Sequence, residues 1–323
     1  MGETYSKEDY DRFALDYYAT AQGHTCILPD VGVDESLLKY SGLDSNAVLQ
    51  AFSKLQVGIV PGYVERLGSR LAPFTSVPNA VGLGALVLSM IMEICIKSLP
   101  QTDKSYEMFR RVFGEEKASS VRDTMSEYLR RHRTFINDNE RLKEELKRLE
   151  AQLSNHLTIL RNSLLHDGQM STRGFKIWVN GASFHIQMLL HEARLNIQAG
   201  KHQSEYVHTI TAAIDLYLMD MDRLLAEYKT YKLSDTKIYP HGICYYMYSC
   251  FNSCYIKNSE LNCRVEHYQK PDQPCGPDGL NEAFMNVIFS QYEPIAGLKS
   301  HFVNLKNNVP DLINQHAAFI LPT

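Results

Sequence analysis

The 323-residue chain predicts a mainly α-helical fold: an elongated helical bundle built on one long coiled-coil-like helix, with a small Cys- and Tyr-rich C-terminal part that holds short strands. Three observations carry that expectation. Residues 118–166 contain neither proline nor glycine, and leucine recurs there at Leu142, Leu146, Leu149, Leu153, Leu157, Leu160 and Leu164, in the steps of three and four that line one helix face. Residues 71–92 carry no charged side chain, and 80–92 is almost wholly apolar. Beyond residue 235 the composition changes, with four cysteines and five tyrosines between Ile238 and Cys263. The expected division is therefore a bundle over 1–235 and a cap with C-terminal helices over 236–323.

The elements follow in order. The opening Met1-Gly2-Glu3-Thr4-Tyr5-Ser6 fits a myristoylation template in form, but Glu3 disfavours it and an exposed acidic N-terminus is the better reading. Residues 10–21 form a short helix with Phe13, Tyr17 and Ala21 on one face and Gly23 as its stop. Residues 26–44 read as a loop with a helical turn. Asp44-Ser45-Asn46 then starts a helix carrying Val48, Leu49, Phe52, Leu55 and Ile59 before Pro61-Gly62.

Pro73 and Pro78 break the first part of the oily stretch, which leaves an apolar helix over 79–98. A helix oily on every side is either the centre of a bundle or a segment able to enter lipid. At fewer than about 20 uninterrupted apolar residues it falls short of a single span, so the core reading leads. In the membrane alternative the inserting stretch is 80–96, through Val81, Gly82, Leu83, Gly84, Leu86, Leu88 and Ile91.

A short amphipathic piece over 102–113 precedes the long helix. At about 1.5 Å per residue that helix would reach roughly 70 Å, so its seam, extended back through Phe135 and Asn139, needs cover. Two later helices, 172–199 and 204–231, repeat apolar positions and are long enough to supply it. Short connections make an intramolecular bundle preferable to a homodimeric coiled coil. Residues 271–279 are a loop, and 280–292 and 295–305 are helical.

Chemistry is sparse. The 33 basic and 37 acidic residues leave a formal charge of -4, with no global basic field to recruit nucleic acid. The basic run Arg130-Arg131-His132-Arg133 is flanked by acids and reads as a solvated helix face. His191-Glu192 begins like a helical zinc-protease motif, but Leu195 takes the second ligand position, so a solvent-facing pair is the reading; His185 does not share the face of His191. His166-Asp167 reads as a helix end. Cys244, Cys250, Cys254, Cys263 and Cys275, with His241 and His267, lack a zinc-knuckle spacing, so reduced buried thiols rank ahead of disulfides and of a metal site. No nucleophile elbow or phosphate loop is present, and no cofactor or small-molecule substrate is indicated. The start lacks an apolar leader, which predicts a cytoplasmic protein, membrane association being the alternative.

The function expected is a non-enzymatic scaffold or interaction protein, using its long amphipathic helices to bind a protein partner or itself. The oily Ala80 to Met92 segment beside long amphipathic helices resembles the plan of α-helical pore-forming proteins. That likeness spans about a third of the chain, is architectural, and shares no motif. It implies the membrane-active alternative. An enzyme of unassigned reaction ranks third.

Overall fold

The computed structural model describes residues 5–71, 76–96, 107–114, 119–136, 138–245, 249–268 and 273–322, with backbone alone at 107, 242–245 and 249–252. The expectations at 1–4, 72–75, 97–106, 115–118 and 269–272 lie outside the described residues. The fold is mainly α-helical with short antiparallel strands, as the sequence predicts. It divides into two compact units, each assembled from separated pieces of chain: Met1–Gly32, Ser163–Lys176 and Met221–Lys299 in the first, and Val33–Asn162, Ile177–Asp220 and Ser300–Thr323 in the second.

The first unit opens with α1 (Lys7–Ala21). Its start is a capping box, in which Ser6 accepts from the Asp9 N–H and the Asp9 carboxylate accepts from the Ser6 N–H. Phe13, Tyr17 and Ala21 are buried as the spacing predicts. This face packs on α11 (Asp278–Gln291). Composition changes at 235 because α10 (Gln203–Asp235) ends there and β2 (Thr236–Tyr245) begins. β2, β3 (Ser249–Asn258) and β4 (Cys263–His267) form one antiparallel sheet, with Ile238 opposite Ile256 and Ile256 opposite Val265 on its buried side. A short α12 (Glu293–Ala296) follows α11.

Glu260, in the turn between β3 and β4, ties this sheet to the first turn of α9 (Thr172–Gln198). One carboxylate oxygen accepts from the Thr172 N–H at 2.8 Å and the other from the Thr172 hydroxyl. The Glu260 N–H in turn donates to Asp235 Oδ1 at 2.6 Å, and buried Lys232 lies 2.9 Å from the Asp235 carboxylate. A carboxylate at a helix N-terminus satisfies otherwise orphaned N–H groups and suits the helix dipole.

The cysteines depart from the reduced state expected of them. Cys26 pairs with Cys263 and Cys254 with Cys275, at Cα separations of 6.0 and 5.9 Å. Both partners of the first bridge lie in loops or strand ends that chain spacing could not bring together, since 237 residues separate them. Cys95 is buried and free. The strand register sets Cys244 opposite Cys250, whose side chains lie outside those described.

The second unit contains α2 (Glu35–Ser41), α3 (Ser45–Ile59), α4 (Tyr63–Leu71), α5 (Leu83–Ile96), α6 (Glu107–Phe113), α7 (Ser120–Thr134), α14 (Val309–Ile313) and the larger part of α8 (Asn139–His166), α9 and α13 (Leu298–Asn307). A two-residue β1 (Ser76–Val77) pairs antiparallel with β5 (Phe319–Ile320). The single helix expected over 118–166 is in fact two, α7 and α8. Asp138-Asn139 opens the second: such side chains compete for backbone groups in helix interiors and favour caps. Asp138 Oδ1 accepts from the Arg141 N–H at 3.2 Å, and the Phe135 N–H closes α7 on the Arg131 carbonyl.

Titration of the denatured, unreduced protein should find no more than three of the seven thiols, those of Cys95, Cys244 and Cys250. Reduction should expose all seven and lower stability by about 2 to 4 kcal/mol per bridge lost. Seven free thiols without reductant would contradict the pairing.

Candidate functional site

The leucine seam is consumed inside the chain. Leu142, Leu146, Leu149, Leu153 and Leu157 are all buried, and Leu157 fits against Gly181 of α9. Leu164, in the first unit, lies against Gly174. Leu160 is only half-buried. The two N-terminal seam positions do not belong to the seam: Phe135 sits in the turn after α7, with the Arg141 guanidinium over its ring, and Asn139 opens α8 and accepts from Asn79 Nδ2 at 3.3 Å.

The oily segment forms α5, and Val81, Gly82, Leu83, Gly84, Leu86, Leu88 and Ile91 are all buried. α5 packs on α2, α3, α4 and α7, the position of a central core helix. No helix among the described residues is long and apolar enough to cross a membrane. The two glycines serve the turn before α5. Gly82 has a φ of +53°, and a side chain on Gly84 would run into the Asn79 carbonyl.

Within the second unit α9 is buried on every side: from Ile177 to Asn196 only Leu189 and Glu192 reach even intermediate exposure. Several of its polar side chains are answered from other elements. Asn180 Oδ1 accepts from the Asp34 N–H at 2.7 Å, and Asp34 is forked by Arg111 at 2.7 and 2.9 Å. Ser183 lies 2.9 Å from His301 Nε2, while His185 meets Glu150 at 2.7 Å and Tyr217 at 3.0 Å. His191, expected at the surface, is 2% exposed, with Nδ1 2.6 Å from the Tyr128 hydroxyl.

His191 stacks on His132 of α7 at 4.7 Å, and the Tyr128 hydroxyl also lies 3.4 Å from His132 Nδ1. His132 is therefore no part of a solvated face, although Arg130 and Arg133 beside it are exposed. One turn further along α9, Arg194 is 1% exposed and donates through Nε to the Leu312 carbonyl at 2.8 Å. Burial holds the His132 and His301 pKa values down to about 4 and the Arg194 value to about 10. Burial, then His132 and Arg194 beside it, keeps His191 well below the usual histidine range. Burial also drives Tyr128 well above its ordinary value, so its hydroxyl stays protonated.

This Tyr128, His132, His191, Gln187 and Arg194 cluster is the most unusual chemistry in the second unit, and the sequence reading passed over it. The available signal was Gln187, His191 and Arg194 at i, i+4 and i+7, a polar stripe inside an otherwise apolar helix.

Of the C-terminal candidates, the side chains of Cys244 and Cys250 lie outside those described. Cys254 and Cys263 are in disulfides, and His267 is buried between Thr20 Oγ1 at 2.8 Å and Gln273 Oε1 at 3.1 Å. His241 stands edge-on to Tyr255. No group of three His, Cys, Asp or Glu among the described residues is placed to hold a metal ion.

One apolar face points outward. Along α3 only Leu49 of the expected apolar positions is fully buried, while Leu55 and Ile59 are 60% and 63% exposed and Val57 is also exposed. Compared with protein-family models, curated proteins and solved structures, the chain matches none.

As a core position, Leu86→Ala should cost about 2 to 5 kcal/mol by chemical denaturation, transfer and cavity terms adding. A cost well under 1 kcal/mol would mean that α5 is loosely held. The histidines set a pH dependence. Folded His132 and His301 refuse protons that the unfolded chain accepts below about 6.5, so stability falls as pH drops from 7 towards 4 and levels off once the folded rings titrate. Between pH 7 and 5 each should remove roughly 2 kcal/mol. His132→Gln should flatten that slope, and an unchanged slope would place the titration elsewhere.

Proposed function

We propose that the protein is a non-enzymatic helical interaction protein whose contact face is the outer side of α3, binding another protein chain or a second copy of itself. The carrying observation is the direction of the apolar residues. The leucine seam of the long helix is buried within the chain, whereas Leu55 and Ile59, one turn apart, are exposed on the same side of α3 near its end, and Val57 is exposed as well. Lys54 and Gly58 beside them are exposed, and Pro61-Gly62 follow. Clustered apolar side chains on a polar surface are the usual mark of an interaction site.

A membrane-active reading stands second, supported by the apolar composition of α5, with 80–96 as the inserting stretch. It requires α5 to leave a core in which nearly every residue is buried, and its 14 residues fall short of the roughly 20 that span a bilayer.

Sedimentation velocity over a concentration series tests the first reading against the second. The parent protein should associate with rising concentration, and Leu55→Asp/Ile59→Asp should stay monomeric with a stability change within about 0.5 kcal/mol, as expected of exposed sites. Association that survives the double substitution would dismiss the α3 face. Flotation of the parent with anionic liposomes, together with dye release that Leu86→Asp abolishes, would favour the membrane-active reading.

A further inference from the structure

We propose that the second unit carries an internal binding site for a monatomic anion of the halide class, formed by Arg194, Gln187 and His191 of α9 beside Gly82. The starting point is a charge without a counter-charge. Arg194 is 1% exposed, yet its guanidinium bonds only neutral groups, the Leu312 carbonyl and Gln315 Oε1 at 3.5 Å. Among the described residues no carboxylate pairs with it, and Nη1 has no hydrogen-bond partner. A buried cation left uncompensated is among the costlier arrangements in a protein interior.

The other unpartnered atoms lie on the same stripe. Gln187 lacks a partner for both amide atoms, and His191 lacks one at Nε2. At i, i+4 and i+7 these side chains share one face of α9. Arg194 Nη1 and Gln187 Oε1 lie 2.8 and 3.1 Å from the point where a Gly82 side chain would begin, so these two side chains both reach that glycine. The protons are arranged to match. In the tautomer this site uses, the Tyr128 hydroxyl, 2.6 Å away, donates to His191 Nδ1 and the ring proton sits on Nε2. With the Gln187 amide turned to present its NH2, Arg194 and Gln187 both bring N–H donors to Gly82, and the unpartnered His191 Nε2 lies on the same face of α9. A spherical anion suits donors without a fixed mutual direction, and the close approach at Gly82 disfavours a polyatomic one. The neighbouring titratable groups are all neutral as folded, Tyr128 and His132 from α7 and His191 itself, so the site is cationic by the charge of Arg194 alone.

The competing arrangement is a direct hydrogen bond from Arg194 to Gln187 after a small rotation of the amide, which would satisfy the cluster without an anion. Thermal unfolding in sodium chloride against sodium gluconate at constant ionic strength separates them. With the anion site, Tm should rise by about 2 to 4 °C for each tenfold increase in chloride above its Kd, and by nothing comparable in gluconate. The chloride-35 resonance of the parent solution should show excess broadening that bromide displaces. Gln187→Met keeps the volume and removes the donor, so it should fold and lose both effects, as should Arg194→Met if it folds. Equal Tm in the two salts with no excess broadening, or a chloride response that persists in Gln187→Met, would overturn the proposal.

Discussion

The second unit depends on one constraint: α9 is enclosed on every side while carrying Asn180, Ser183, His185, Gln187, His191 and Arg194. A buried polar group costs free energy unless it is hydrogen-bonded, and all of these but Gln187 are met by a particular atom of a particular neighbour. Asn180 fixes the chain before α2, Ser183 fixes α13, His185 fixes α8 and α10, His191 fixes α7, and Arg194 fixes the end of α14. Apolar packing alone tolerates sliding by a turn. Five polar contacts from one helix do not, and they set the rotation of α9 and the register of the helices around it. The interior is thereby made specific at some expense in stability.

Much of this architecture was legible as pattern. The steps between Leu142 and Leu157 announced a helix face, and the burial of that face follows. Residues 71–92, without a charge, announced a central helix, and α5 is one. What was not legible is direction. Val48, Phe52, Leu55 and Ile59 have the spacing of a core face, yet α3 rests on Leu49, Ser53 and Gln56 instead, because Ser53 is held by the Tyr63 hydroxyl at 3.0 Å and carries the polar group inward. In α9 the polar residues looked like an outer face for the same reason: spacing reports which residues lie together, not which side is covered. The start of α8 at Asp138-Asn139 was readable from cap chemistry but was overridden by the absence of proline and glycine.

The disulfides expose a different limit. An odd cysteine count and unremarkable spacing favoured reduced thiols, but pairing depends on Cα positions, and Cys26 meets Cys263 only after the first unit has formed. Disulfides persist in oxidising compartments and are rare in the cytosol, so these two bridges pull against the cytoplasmic location expected above. Their placement also bears on the unit's construction. One bridge joins the loop after α1 to the first residue of β4, and the other ties β3 to the loop before α11, so two chain segments far apart in sequence are locked to one small sheet.

Of the 14 residues of α5 only Ser89 and Glu93 are polar, which is what either a bundle centre or a lipid-seeking segment requires, and composition cannot separate them. Context does. The turn that starts α5 is built around Asn79 at φ +56° and Gly82 at φ +53°; Asn79 reaches Asn139 at the start of α8 and Gln198 at the end of α9, and the Gly82 N–H donates to Ser45. Those bonds belong to polar groups at the head of an apolar helix and would all have to break before α5 could move. The segment's hydrophobicity explains why it is buried; the polar bonds at its start explain why it stays where it is.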